Sequence, residues 1–281
     1  MAVNIRRKVL ITGAAGGMGR SCAHLFGGTH NLVLTDVRHD RLDPFAQELR
    51  DAGCTVMALA GDMLSEEHLN TLAGELAGDR PFSVVHAAGL SPSLADWLTI
   101  MKVNLVASEM LMNALEPALV AGSVVIPIAS LAGYLMPVIP EIDALLVDPL
   151  NDGFVQGIGA AIEGMVSGDA AMMGGISYSL SKRGVQLLTV RKANVWGPRG
   201  VRVVSISPGV IHTPMGLSEN EKTPGAADTM HAAPLGRIGT PMDIAMTARF
   251  LCSDEAGYIT GSDVRVDGGA TSALTMPALA S

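Results

Sequence analysis

Short, unbroken apolar runs alternate with longer amphipathic stretches along most of this chain. Residues 8–12, 31–36, 55–60, 82–86, 124–129 and 201–207 form such runs, with a shorter one at 263–266. Strands that read as continuously apolar are buried on both faces, as in a parallel sheet covered by helices. Between them, residues 17–26, 42–52, 65–76, 103–115, 178–194 and 243–251 read as helices. Ser65 stands as a cap before the third helix, with Glu67 in its first turn, and Gly53 closes the second. Strand and helix in alternation predict an α/β fold, a Rossmann-type doubly wound parallel sheet. With no internal repeat or low-complexity linker, residues 1–281 are expected to form one domain.

The rhythm breaks between residues 131 and 176. Ile142, Leu145, Leu146, Pro149 and Leu150, then Phe154, Val155, Ile158, Ile162 and Met165, fall at roughly helical spacing. Glu141, Asp143, Asp148, Asp152, Glu163 and Asp169 accompany them without one basic residue. The pattern predicts a helical hairpin inserted between the fifth strand and the helix at 178–194, packed on the surface. A lid or a subunit contact is the functional role open to it. Pro127 lies inside the fifth run, where a proline removes a ladder bond, and the sequence offers no reason for it.

Composition narrows the class. The chain is 48% hydrophobic and 16% charged, too apolar for disorder, and its net charge of −8 argues against a nucleic-acid partner. Cys22, Cys54 and Cys252 lie far apart, which excludes a disulfide framework or a zinc knuckle and suits a reducing compartment. Residues 117–140 carry no charge and are long enough to span a bilayer, but Gly122, Ser123, Pro127, Ser130, Gly133 and Pro137 interrupt them. Arg6, Arg7 and Lys8 precede an apolar run that stops at Thr12-Gly13 without a cleavage site. A cytoplasmic protein without a membrane partner is expected. The 16 methionines fill irregular apolar space or line an adaptable pocket.

Candidate chemistry begins at Thr12-Gly13-Ala14-Ala15-Gly16-Gly17-Met18-Gly19, between the first strand and the first helix. Glycines there permit a tight turn and close approach to a pyrophosphate, whose charge faces the helix N-terminus. Asp36 ends the second strand 24 positions after Thr12, where an acid binds the adenosine ribose and repels the extra phosphate of NADP. NAD is therefore expected in preference to NADP, with Arg38 leaving some room for the latter. Asp62 is placed either to accept from the adenine amino group or to cap the helix near Ser65. His86-Ala87-Ala88-Gly89 ends the fourth strand, where small residues admit the ribose and His86 reads as a packed side chain.

Tyr178-Ser179-Leu180-Ser181-Lys182 sets a tyrosine and a lysine on one helix face. A phenol near pKa 10 is a poor acid–base group at neutral pH, and a neighbouring ammonium favours its ionised form. Ser130 follows the fifth strand, and Asn104 lies in the helix before it.

These residues resemble the short-chain dehydrogenase/reductase family over essentially the whole chain. TGAAGGMG is similar to its TGxxxGxG, HAAG to NNAG, YSLSK to YxxxK and SPGVIHTP to PGxIxTP. VNL and IAS match the segments of its asparagine and serine, and RIGTPMDIA and TGSDVRVDGG match as well. The chain is most similar to the family's bacterial 3α-hydroxysteroid dehydrogenase/carbonyl reductase branch, through AAGLSP, VNLVASEMLMNALEPAL, VRKANVWGPRGVRV and the insertion.

The resemblance implies an NAD(P)-dependent enzyme that interconverts a secondary alcohol and a ketone by hydride transfer. Tyr178 would be the general acid/base, and Lys182 would lower its pKa and hold the nicotinamide ribose. Ser130 would steady the substrate oxygen, and Asn104 would hold a water linking Lys182 to solvent. Gly13, Gly17 and Gly19 would cradle the pyrophosphate, Asp36 the ribose, and Ile211 and Thr213 the carboxamide. Met18, Asp62, Met63, Ala88, Gly89, Pro208 and Gly209 would complete the cofactor site, and no metal is implied.

HAAG departs from NNAG in both asparagines, and 48 positions from Ser130 to Tyr178 exceed the family's usual spacing. In relatives such an insertion accompanies a dimer in place of a tetramer, so a homodimer or homotetramer is expected. The pocket walls should come from residues 90–94, 131–136, the insertion and 215–235, with Met136, Met172, Met173, Met215 and Met230 among them. Such a lining favours a bulky apolar alcohol or ketone such as a hydroxysteroid. Another alicyclic, aromatic-derived or acyl substrate is the alternative, and a non-catalytic NAD sensor is disfavoured by the intact Tyr178, Lys182, Ser130 and Asn104.

Overall fold

The computed structural model describes residues 6–166, 170–216 and 232–276. Seven strands form one parallel sheet: β1 (Lys8–Thr12), β2 (Asn31–Asp36), β3 (Val56–Ala60), β4 (Ser83–His86), β5 (Val124–Pro127), β6 (Arg202–Pro208) and β7 (Ser262–Val266). Their order is β3-β2-β1-β4-β5-β6-β7. The order reverses between β1 and β4, and a crevice opens at the carboxyl ends of strands at such a switch point.

Alternate residues of each strand feed two separate cores. Val9, Ile11, Leu32, Leu34, Val85, Ile126 and Ile206 face one helical layer, made of α1 (Gly17–Gly27), α2 (His39–Asp51) and α9 (Pro241–Cys252). Leu10, Val33, Val84, Val125 and Val203 face the other, made of α3 (Glu66–Leu76), α5 (Ala107–Leu115) and α8 (Ala170–Trp196). Both faces are covered, so the strands read as apolar without alternation.

The predicted strands stand within a residue at each end, apart from β5, which stops two residues short. The helix expected at 103–115 starts earlier: α4 (Trp97–Met101) is capped by Asp96, whose carboxylate accepts from the Leu98 and Thr99 amides at 2.9 Å. A π turn (Lys102–Val106) joins it to α5. The α2 helix likewise starts at His39, three residues before the prediction, and accepts Pro44 in its interior. The α8 helix starts at Ala170, eight residues early, because the insertion covers its first turns.

That insertion is a helical hairpin as predicted, α6 (Pro140–Val147) and α7 (Phe154–Val166). Ile142, Leu146, Phe154, Ile158 and Ile162 form a third core with Met101, Leu105, Leu180 and Val185 of the elements beneath. Asp143 and Arg183 make a two-point ion pair between α6 and α8, with side chains only 19% and 15% exposed. A short helix, α10 (Ala270–Thr275), ends the described chain.

Pro127 is accommodated by a break in one ladder. Two residues on, the Ala129 amide donates to Ile206 of β6, whereas the Ile128 amide donates to His86 of β4. By alternation the Pro127 nitrogen faces β6. The β5–β6 pairing accordingly covers Val124 and Val125 and resumes at the Ile128–Ile206 bridge. Pairing with β4 needs nothing from that nitrogen and stays continuous through His86–Pro127.

No described helix is long and apolar enough to cross a membrane.

Candidate active site

The glycine-rich turn after β1 is packed tightly against the Ala87–Ala88 backbone, the Thr213 side chain and its own chain. Gly13 has φ 61°, and a Cβ there would lie 2.8 Å from the Ala87 carbonyl oxygen and the Ala88 amide. A Cβ on Gly19 would enter the Gly13 carbonyl, and one on Gly17 would lie 2.6 Å from the Thr213 methyl. Side chains at these positions would fill the space that lets the turn sit between β4 and residues 211–213. No side chain caps α1, whose first amides open at the switch point.

Asp36 braces this turn from β2. One carboxylate oxygen accepts from the Ala15 amide and the other from the Arg38 amide, both at 3.0 Å. The Arg38 guanidinium is engaged elsewhere, donating to both carboxylate oxygens of Asp40 at 2.9 and 2.7 Å. That pair raises the Arg38 pKa and lowers that of Asp40.

Asp62 is exposed and accepts from the Leu64 amide at 2.9 Å. Ser65, not Asp62, caps α3. Met63 is buried beside it. Pro208 ends β6, and the Gly209 amide donates to Val266 at 3.0 Å. Ile211 and Thr213 are buried at the mouth of the crevice, with Ile211 bridged to Gly239.

Tyr178 and Lys182 sit one turn apart on α8, the ammonium 5.7 Å from the centre of the phenol ring. Lys182 is only 6% exposed and donates to the Ile128 carbonyl at 2.9 Å. Its Nζ also faces Gly89, where a Cβ would lie 3.5 Å from it and 3.1 Å from the Asn104 carbonyl oxygen Oδ1. The chain therefore passes close between the two, with tight contact only at the Asn104 side.

Asn104 occupies the π turn. Its Oδ1 accepts from the Leu90 amide at 2.8 Å, and its Nδ2 donates to the Leu90 carbonyl at 3.0 Å and to Ser181 Oγ at 3.1 Å. The side chain therefore ties the loop after β4 to the residue preceding Lys182.

Ser130 caps a 3₁₀ turn (Leu131–Tyr134), and its Oγ accepts from the Ala132 amide at 3.1 Å. That bond uses a lone pair and leaves the hydroxyl proton to donate. The turn rests directly on α8, since a Cβ on Gly133 would lie 2.9 Å from the Arg183 amide.

Sequence reasoning missed the residues that hold this turn. Gln186 donates to the Ser130 carbonyl at 3.3 Å and to Ser207 Oγ at 3.0 Å. It lies four residues beyond Lys182 on the same helix face, a spacing that could have found it. Tyr134 donates to Asp263 at 2.8 Å, and Ser205 donates to the other oxygen of that carboxylate at 2.5 Å. Burial and the adjacent Asp263 charge push the Tyr134 pKa up. No spacing along the chain points to these β7 and β6 partners.

Of the proposed pocket methionines, Met136 and Met173 pack against the insertion's core, whereas Met172 and Met215 are exposed. Residues 217–231, including Met230, lie outside the described residues, as does Asp169 in the insertion. Among the described residues no group of His, Cys, Asp and Glu is arranged to hold a metal.

The comparisons with known proteins converge on this arrangement. A family model described as short chain dehydrogenase matches residues 7–141, and one described as enoyl-(acyl carrier protein) reductase matches residues 156–271. The chain belongs to the short-chain dehydrogenase/reductase family. A short-chain type dehydrogenase/reductase of Sinorhizobium fredii is 30% identical over 94% of this chain, which spans 43% of that protein. The 7alpha-hydroxysteroid dehydrogenase of Bacteroides fragilis is 29% identical over 94% of this chain and 93% of its own. Galactitol 2-dehydrogenase (L-tagatose-forming) of Cereibacter sphaeroides is 29% identical over 93% of both. A short-chain dehydrogenase/reductase structure from Brucella melitensis superposes with a TM-score of 0.72 at 27% identity, covering 96% of this chain and 99% of that one. As a member of this family the protein is an oxidoreductase.

Proposed function

We propose that this short-chain dehydrogenase/reductase uses NAD to interconvert a secondary alcohol and a ketone, with Tyr178 as its acid–base residue. The observation that carries the reading is the buried Lys182 ammonium beside the Tyr178 ring, with the Ser130 turn resting on the same helix. A nicotinamide dinucleotide fits the residues present: the glycine turn leaves the space, no side chain caps the first amides of α1, and the Asp36 carboxylate beside the turn would take the ribose hydroxyls. When bound, the nicotinamide supplies or accepts the hydride.

In the reducing direction the Ser130 hydroxyl donates a hydrogen bond to the substrate oxygen, keeping its proton, and stabilises the charge that develops there. Tyr178 then gives up its phenol proton to that oxygen, and Lys182 stabilises the phenolate left behind. In the oxidising direction the same phenolate removes the alcohol proton. Asn104 keeps Ser181, and so the Lys182 turn, fixed against Leu90.

Two observations support NAD over NADP. A carboxylate at position 36, already fixed by two amides, repels a ribose phosphate, and Arg38, the nearby cation, is held by Asp40. A bulky apolar substrate such as a hydroxysteroid is supported by the likeness to hydroxysteroid dehydrogenases. The galactitol 2-dehydrogenase likeness, equal in identity, favours a polyol as the second reading. NADH production from a panel of hydroxysteroids, decalols, cyclohexanol and galactitol decides between them. Turnover of the steroids or decalols sustains the apolar reading, and turnover of galactitol alone replaces it.

On this reading the protein assembles as a homodimer rather than a homotetramer, a choice supported by the insertion packing on α8's amino-terminal half. Light scattering reporting a dimer supports this, and a tetramer refutes it.

A further inference from the structure

One buried histidine plays no part in the mechanism above. His86 ends β4, is 2% exposed, and has both ring nitrogens engaged: Nδ1 with Thr12 Oγ1 at 2.7 Å and Nε2 with Ser108 Oγ at 2.9 Å. Ser108 Oγ lies 2.6 Å from the Asn104 backbone carbonyl, and the Ala88 amide lies 3.1 Å from Thr12 Oγ1.

These distances fix the direction of every bond. A carbonyl only accepts, so the Ser108 hydroxyl spends its single proton on Asn104. Ser108 Oγ must then accept from His86, which places the ring proton on Nε2. A neutral ring leaves Nδ1 bare, so it accepts from the Thr12 hydroxyl, whose oxygen in turn accepts from Ala88. Burial, and secondarily the charge of Lys182, pull the His86 pKa down to about 3 and keep the ring in this neutral form.

The Asn104 carbonyl is an unusual place for such a chain to end. It lies in the π turn, where the ladder shifts so that the Ala107 amide donates to Lys102, five residues back. The Ser108 hydroxyl pins the turn at that shifted carbonyl. The same turn aims the Asn104 amide at Leu90 and Ser181, next to Lys182.

We propose that His86, acting through Ser108, is a positioning residue that holds the Asn104 turn and so sets Lys182 against Tyr178. The proposal rests on the catalytic reading of Tyr178, Lys182 and Asn104.

Two substitutions separate positioning from plain packing. An asparagine amide reaches only as far as Nδ1 and keeps the Thr12 partner, whereas a glutamine amide reaches as far as Nε2 and keeps the Ser108 partner. Each loses one ring bond, so their structural costs are similar, but only His86→Asn, like Ser108→Ala, cuts the arm to Asn104. The experiment measures kcat with cyclohexanol and NAD, NADH binding by fluorescence, and the Tyr178 phenolate titration by ultraviolet difference against Tyr178→Phe. His86→Asn and Ser108→Ala are expected to lose about tenfold or more in kcat and to raise the Tyr178 midpoint, with NADH affinity within about threefold of wild type. His86→Gln is expected to keep kcat within about threefold and to leave the midpoint in place. The titration needs no substrate, so it decides the matter even where cyclohexanol is not turned over. Equal losses in the Asn and Gln variants, or a wild-type kcat and midpoint in Ser108→Ala, overturn the proposal. Undiminished turnover by Tyr178→Phe would instead remove the catalytic reading beneath it.

Discussion

Gly133→Ala is a small change with a calculable consequence at the Ser130 turn. The added methyl would lie 2.9 Å from the Arg183 backbone nitrogen and 2.8 Å from the Gln186 side-chain oxygen, where ordinary contact begins at 3.4 Å. The shortfall is therefore about 0.5 Å against an amide locked in the helical ladder of α8, and tight interiors do not absorb such a change without cost. The turn must yield, carrying Ser130 away from Tyr178 and disturbing the Gln186 bonds to Ser130 and Ser207. A 1 Å misplacement costs on the order of a hundredfold in rate, so half of that costs about tenfold in kcat. Overpacking should also remove about 1–3 kcal/mol of stability. The assay is steady-state NADH formation, with NADH binding by fluorescence and thermal unfolding alongside. NADH affinity should hold, because the glycine turn and Asp36 lie on other elements. Gly74→Ala is the control: a methyl there meets nothing within 4 Å, so kcat should stay unchanged and stability should rise by about 0.5–1 kcal/mol. A lowered melting temperature in Gly133→Ala with a wild-type kcat would refute the claim that this turn positions Ser130.

Other consequences can be checked as directly. Asp36→Ser should raise the NADP-to-NAD ratio of kcat/KM by about tenfold or more, and adding Asp40→Asn, which releases Arg38, should raise it further; an unchanged ratio would remove Asp36 as the discriminator. Asp143→Ala leaves the part-buried Arg183 unpaired, so it should destabilise by about 1–3 kcal/mol and loosen the insertion to proteolysis while NADH still binds. His86 has a folded pKa far below its unfolded one, so its contribution to stability is complete above about pH 6.5 and fades as pH falls toward about 3. Denaturant midpoints for His86→Gln should therefore fall less steeply than wild type over that range. Burial raises the Cys22 pKa to about 12 and the Cys252 pKa to about 11, so no more than one of the three thiols should react quickly with a thiol reagent in the native protein.

Local periodicity explains which parts of this architecture could be read from the chain. The inner strands β1, β2, β4, β5 and β6 were legible because both of their faces are buried, whereas the edge strands β3 and β7 are half exposed and showed only as short apolar runs. The glycine turn and the Tyr178–Lys182 contact were legible because close sequence spacing fixes their geometry. The α4 start was missed because its signal is a single cap, Asp96, on a short helix continued by a π turn that breaks the 3.6 period. The interrupted β5–β6 ladder at Pro127 needed the register, which pairs residues 78 positions apart, Val124 with Arg202. The bracing of the site was hidden for the same reason. Gln186 shares a helix face with Lys182, but Tyr134 with Asp263, and His86 with Thr12 and Ser108, meet only after the chain has folded.

Single-turnover measurement on Tyr178→Phe tests the central claim most directly. Phenylalanine keeps the ring against Lys182 and removes only the hydroxyl that would carry the proton. With NAD bound and an alcohol identified in the substrate panel, the account predicts a loss of about a hundredfold or more in the rate of NADH formation, while NADH binding and melting temperature stay near wild type. A rate close to wild type would contradict it.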